Sequence, residues 1–130
     1  MGEVPVGHHI ILDLFKCECE QKWLLDLRYG RRLMTAASKG LNVLGMQEHQ
    51  FKPHSYSICV LLEESHLSIH TWTQHNFASM DFYTCTGKVP EECVFVALGL
   101  LKPRRTVRLD IKRGTTHPTT RTETDYHAGQ

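Results

Sequence analysis

Residues 66–72 read His66-Leu67-Ser68-Ile69-His70-Thr71-Trp72, and their alternation decides the fold. Leu67 and Ile69 point to one side of an extended chain, while His66, Ser68, His70 and Trp72 point to the other. That is the period of a β-strand with one buried face. Upstream, Tyr56-Ser57-Ile58-Cys59-Val60-Leu61-Leu62 is a second strand-like run. Downstream, Thr73-Gln74-His75-Asn76 is a polar turn, after which Phe77 to Cys85 returns as a further strand. Lys52-Pro53-His54-Ser55 is a turn behind a strand at Leu41 to Phe51.

Further out the period changes. From Glu20 to Lys39, Trp23, Leu24, Leu27, Leu33, Met34 and Ala37 recur at steps of three and four, which predicts a helix. Gly30 is its expected weak point and Gly40 its expected C-terminal stop. His9 to Phe15 predicts an opening strand. Val89 to Leu101 predicts a second helix with Pro90 in its first turn, and Thr106 to Ile111 a closing strand. From Gly114 onward no period is visible, so residues 114–130 are expected to be a loose tail on a single domain of residues 1–113. The class is α+β: an antiparallel sheet with two helices on one face, in the order strand, helix, strands, helix, strand. The other sheet face needs a polar surface or a cover. A dimer that stacks two such sheets supplies one.

With 41% hydrophobic and 22% charged residues among 130, the chain has enough apolar material for one core. A net charge of +1 argues against a nucleic-acid partner, and Lys102-Pro103-Arg104-Arg105 reads as a solvated turn. No apolar run reaches membrane-spanning length, and residues 1–8 lack the pattern of a signal peptide, so the expected location is cytoplasmic. Cys17, Cys19, Cys59, Cys85 and Cys93 show no disulfide spacing. Neither the Cys17/Cys19 pair nor the nine histidines show the paired spacing of a zinc site, so no metal is expected.

Taken singly, Ser65 is a turn serine, His70 a structural histidine and Cys85 a small buried hydrophobe. Their conjunction is more telling. A serine behind Glu63-Glu64, an imidazole five residues on and a thiol twenty residues on fall in neighbouring strands. The segment Glu64-Ser65-His66-Leu67-Ser68-Ile69-His70-Thr71-Trp72, with Asp81-Phe82-Tyr83-Thr84-Cys85, closely resembles the self-cleavage region of prokaryotic-type S-adenosylmethionine decarboxylases, a pyruvoyl-dependent family. Gly7-His8-His9 and His49-Gln50-Phe51 are weaker echoes, and the likeness runs from about Gly7 to Gly114.

The resemblance implies a proenzyme cut between Glu64 and Ser65 into residues 1–64 and 65–130. The Ser65 hydroxyl would attack the Glu64 carbonyl and turn an amide into an ester. Loss of the Ser65 α-proton would expel Glu64 as a carboxylate, and hydrolysis of the resulting dehydroalanine would release ammonia and leave a pyruvoyl group. By the same resemblance, Ser57 supports processing and His70 accepts the proton, a task suited to imidazole. The substrate amine would form a Schiff base with the pyruvoyl carbonyl, the electron sink for decarboxylation. Cys85 would then return a proton, since thiols are largely protonated at neutral pH. Phe51 and His70 would flank the adenine of S-adenosylmethionine, on the route to spermidine.

One stretch departs from the family pattern. After Trp72 the family usually has proline, glutamate, an aromatic residue and glycine; here stand Thr73, Gln74, His75 and Asn76. Gln74 thus replaces a carboxylate expected at the ribose. Cys85 is followed by Thr86-Gly87 rather than directly by glycine. Other readings therefore stay open: the same pyruvoyl chemistry on arginine or ornithine, or a processing-dead partner subunit that activates another decarboxylase. A fourth is a metal-binding protein using His66, His70, Cys85 and the Cys17/Cys19 pair. A homodimer of cleaved protomers acting on a small molecule is the expected assembly.

Overall fold

The structure, a computed structural model, describes residues 6–85 and 91–125. Along the chain run β1 (Gly7–Cys17), α1 (Lys22–Leu25), α2 (Leu27–Ala37), β2 (Val43–Phe51), β3 (Ser55–Leu62) and β4 (Ser65–Trp72). A 3₁₀ turn (Thr73–His75) leads to β5 (Phe77–Thr84), α3 (Glu91–Leu101), β6 (Pro103–Arg113) and β7 (Thr119–Asp125). The seven strands form one sheet in the order β2-β3-β4-β5-β1-β6-β7, each neighbouring pair antiparallel. The α+β reading holds, with the helices on one face.

Alternation builds the core. Ile10, Leu12 and Leu14 of β1, Tyr56, Ile58 and Val60 of β3, Leu67 and Ile69 of β4, and Met80 and Phe82 of β5 are buried under the helices. Leu24, Leu33, Met34 and Ala37 meet them from α1 and α2, and Cys93, Val94, Ala97 and Leu101 from α3. On the opposite face Phe15, Leu61 and Trp72 stay exposed. Among the described residues nothing covers that face.

Three expectations need correction. The predicted Glu20–Lys39 helix is two helices, broken at Asp26. Asp26 is extended at φ −108° and ψ 118°, and its carboxylate accepts the Arg28 N–H at 2.9 Å. This N-cap is worth about 1 kcal/mol and lets the chain turn between α1 and α2. Gly30 is a packing site rather than a weak point, because a Cβ there would stand 2.4 Å from the Tyr56 ring. Gly40, at φ +84°, does lie just beyond the Ser38 C-cap, as expected.

Second, residues 119–125 of the expected tail form β7, paired with Ile111 back to Arg105. Its threonines suit an extended chain, and Arg105 holds Asp125 at 2.8 Å and Glu123 at 3.1 Å. Every residue of β7 is exposed, so no burial pattern marked it in the sequence. Third, Pro103, Arg104 and Arg105 open β6 instead of forming a solvated turn. Pro90 lies outside the described residues.

Polar ties fix the helices over β3 and β4. The Thr71 hydroxyl donates to the Leu24 carbonyl at 2.6 Å, the Thr73 hydroxyl to the same oxygen at 3.1 Å, and the Tyr56 hydroxyl to the Trp23 carbonyl at 2.5 Å. Gln50 accepts the Leu27 N–H at 2.8 Å and donates to the Leu25 carbonyl at 2.9 Å. These bonds satisfy backbone groups left over where one helix stops and the next begins.

Candidate active site

Leu62 and Ser65 face each other in the β3–β4 ladder, so Glu63 and Glu64 alone make the turn between them. Glu64 takes φ +60°, a left-handed conformation that costs a residue with a Cβ about 1–2 kcal/mol. The turn is held from outside: the Asn42 amide donates to the Glu63 carboxylate at 2.6 Å, and the Glu63 N–H to the Asn42 carbonyl at 3.1 Å. Sequence reading gave Asn42 no role, since its partner is 21 residues away. Ser65 itself is half-buried.

Across the sheet, His66 of β4 pairs with Tyr83 of β5. The next step of that ladder brings the start of β4 beside Thr84 and Cys85. Cys85 is an exposed free thiol, so the buried reading fails for it. Ser65 and Cys85 thus belong to one end of the sheet.

Ser57 and His70 belong to the other end. They are directly opposite in the β3–β4 ladder, and Ser57 Oγ lies 2.7 Å from His70 Nδ1. Both face away from the helices, Ser57 half-buried and His70 exposed. His49 pairs with Ser57 on the far side, and its ring meets Phe51 at 4.5 Å. Phe51 is 45% exposed, which removes it from the core. Trp72 lies beside His70, ring to ring at 6.4 Å. Gln74 is exposed in the 3₁₀ turn that follows. Asn76 closes that turn at φ +48°, with its N–H bonded to the Thr73 carbonyl at 3.1 Å. Asparagine tolerates this conformation better than most residues, so the turn keeps a left-handed corner without glycine.

Between the two ends lies a polar cluster of which sequence reading singled out only His66, and with other partners. His9 Nε2 is 2.7 Å and His66 Nε2 3.1 Å from the same Asp81 oxygen, and the Ser68 hydroxyl donates to the other. Burial pushes the Asp81 carboxyl up, but hydrogen bonds from Ser68, His9 and His66 outweigh it and hold the group below its ordinary range. Tyr83 stacks on His66 at 5.7 Å and meets His9 edge-on at 5.6 Å.

The structure therefore joins Ser57 to His70 and gathers Phe51 and Gln74 at their end of the sheet, but does not join Ser65 to His70. Five residues of extended strand span roughly 17 Å. The sequence expectation that serine, imidazole and thiol meet is not met within one chain.

The comparisons with known proteins agree with one another. A sequence model of the family described as S-adenosylmethionine decarboxylase matches residues 8–114. The chain is 41% identical over 119 residues to an S-adenosylmethionine decarboxylase proenzyme of Persephonella marina, covering 87% of this chain and 86% of that one. It is 42% identical over 113 residues to S-adenosylmethionine decarboxylase proenzyme 2 of Bacillus cereus, covering 82% and 85%. The crystal structure of the adenosylmethionine decarboxylase from Aquifex aeolicus superposes with a TM-score of 0.79 at 27% identity, over 98% of this chain and 100% of that one. The chain belongs to the S-adenosylmethionine decarboxylase family.

Proposed function

We propose that this chain is a proenzyme that cuts itself between Glu64 and Ser65 and then decarboxylates S-adenosylmethionine as a homodimer. The observation that carries the reading is the left-handed Glu64, held in a two-residue turn directly before Ser65. A peptide bond at such a corner is strained toward attack by the next hydroxyl, and residues that bear strain of this kind concentrate at functional sites. Ser65 Oγ adds to the Glu64 carbonyl carbon and the C–N bond breaks, leaving an ester and a free amine. A base then removes the Ser65 α-proton, and Glu64 departs as a carboxylate. Water hydrolyses the remaining enamine, ammonia leaves, and the new chain begins with a pyruvoyl group.

That base is His70, with Ser57 bonded to its Nδ1. Ser57 fixes the ring, so that Nε2 is the nitrogen offered to the reaction. His70 is too far from the Ser65 of its own chain, and this supports the dimer. A two-fold axis lying between two open sheet faces and crossing β4 near its middle sets position 65 of one copy over position 70 of the other. The same stacking covers Phe15, Leu61 and Trp72.

The residues present fit the pyruvoyl group: the serine that generates it stands at a strained corner, and a free thiol lies at the neighbouring strand end. When formed, the group supplies a carbonyl that accepts the electrons released with CO₂. Cys85 returns a proton to the former α-carbon. Phe51 and His70, both on the open face, hold the adenine between rings, and Gln74 accepts from the ribose hydroxyls. For the sulfonium cation, aromatic faces such as Trp72 add cation–π attraction. The setting is the cytoplasm and the product serves polyamine synthesis.

Intact-mass measurement and release of labelled CO₂ test the reading together. Wild-type protein should give two fragments, the second blocked at its N-terminus, and Ser65→Ala one uncut, inactive chain. Full activity from an uncut wild-type chain overturns the whole reading. Cleaved protein that releases CO₂ only from arginine or ornithine overturns the substrate.

A further inference from the structure

We propose that His9, His66 and Asp81 form a binding site for a zinc-class divalent transition metal on the open face of the sheet. The donor set selects the ion: two imidazole nitrogens with one carboxylate suit zinc and its neighbours, whereas magnesium and calcium take oxygen ligands. The donor atoms, His9 Nε2, His66 Nε2 and Asp81 Oδ2, all lie within 4.8 Å of one another. Two of their separations are 2.7 and 3.1 Å. Around a tetrahedral ion with bonds of about 2.0–2.1 Å, ligand atoms stand roughly 3.3 Å apart. Loading therefore asks these two contacts to open by roughly 0.2–0.6 Å.

The frame is rigid. His9 of β1 and His66 of β4 both pair with Tyr83 of β5, from opposite sides, and Asp81 lies two residues along the same face of β5. Tyr83 fixes both rings by stacking on one and meeting the other edge-on. The Ser68 hydroxyl binds Asp81 Oδ1 and leaves Oδ2 for the ion, the outer-sphere support that metal-binding carboxylates usually have. Three protein ligands leave a fourth position for water. On loading, the two N–H···O contacts are replaced by two N–metal bonds, so each Nε2 proton leaves or moves to Nδ1. The sequence expectation of no metal arose because the ligands are 72 and 15 residues apart and show no paired spacing.

The site stands independently of the proposed decarboxylation. Its test is equilibrium dialysis of chelator-treated full-length protein against zinc, with cobalt(II) in parallel for its visible absorption. The expected result is one zinc per chain and tetrahedral cobalt bands, in wild-type protein and in uncut Ser65→Ala alike, so failed processing leaves the readout intact. His66→Gln and Asp81→Asn should each weaken binding tenfold or more, and Ser68→Ala about tenfold. Circular dichroism identifies any variant that fails to fold; the wild-type and Ser68→Ala measurements then decide. No uptake by wild type, or uptake unchanged in folded His66→Gln and Asp81→Asn, overturns the proposal and leaves a hydrogen-bonded triad only.

Discussion

The two ends of β4 carry different parts of one proposed reaction. At the Ser65 end the backbone holds the chemistry: a left-handed Glu64, a turn tied to Asn42 and a strand that begins at the serine itself. At the His70 end the backbone is regular, and the chemistry sits in side chains: a histidine bonded to Ser57 and flanked by Trp72, with Phe51 and Gln74 at the same end of the sheet. Each end lacks what the other has. One strand of fixed rise cannot fold back to join them, and the proposed dimer would join them across two copies.

The largest expected effect tests that division. His70→Ala should slow self-cleavage by on the order of 10²–10⁴-fold, the usual contribution of a positioned base. Co-expressing His70→Ala with Ser65→Ala should restore cleavage of the chain that keeps Ser65, because the other copy supplies His70. Mass spectrometry of separately tagged chains reads this directly, and absence of rescue in mixed dimers would break the comparison.

Cys85→Ala sharpens it from the other end. The variant should still cleave, yet turn over at least about 10²-fold more slowly, because it lacks the acid and not the base. Single-turnover measurements on fully cleaved protein separate the two steps. Wild-type turnover would assign the proton to another group.

A smaller effect belongs to the His70 end. Phe51→Ala should raise KM up to about tenfold, since one ring contact is worth about 0.5–1.5 kcal/mol beyond buried area. Gln74→Glu should leave KM unchanged or lower it, because charge-assisted hydrogen bonds to a diol are the stronger kind. Steady-state kinetics on S-adenosylmethionine check both.

The smallest effect lies away from either end, where Arg108 binds Asp110 at 2.8 Å and Glu91 at 2.6 Å and ties α3 to β6. Burial pushes the Asp110 carboxyl up, but hydrogen bonds from Arg108 and His8 hold it below its ordinary value of 3.8. Its folded pKa is depressed, so its contribution is fully present above that value and is lost as pH falls through the lower folded one. Asp110→Asn should cost about 1 kcal/mol at neutral pH. Denaturation curves of variant and wild type should converge below about pH 4. A constant gap down to pH 2 would show that the loss is one of packing.

The amino-acid sequence by itself determined the strands, because alternation at Leu67 and Ile69 or at Tyr56, Ile58 and Val60 is a local signal of a half-buried sheet. It determined the helical segments for the same reason, and the long Glu64–Trp72 motif carried the family. The break at Asp26 was not read, because the helical period of three and four runs unbroken across it. β7 was not legible, since a wholly exposed edge strand has no buried face to imprint on its residues. Only the tertiary structure decided which groups meet. His9 and Asp81 are 72 residues apart and touch because β1 inserts beside β5, a pairing no local pattern records. Ser65 and His70 are five residues apart and do not touch, because an extended strand carries near neighbours in sequence away from each other in space.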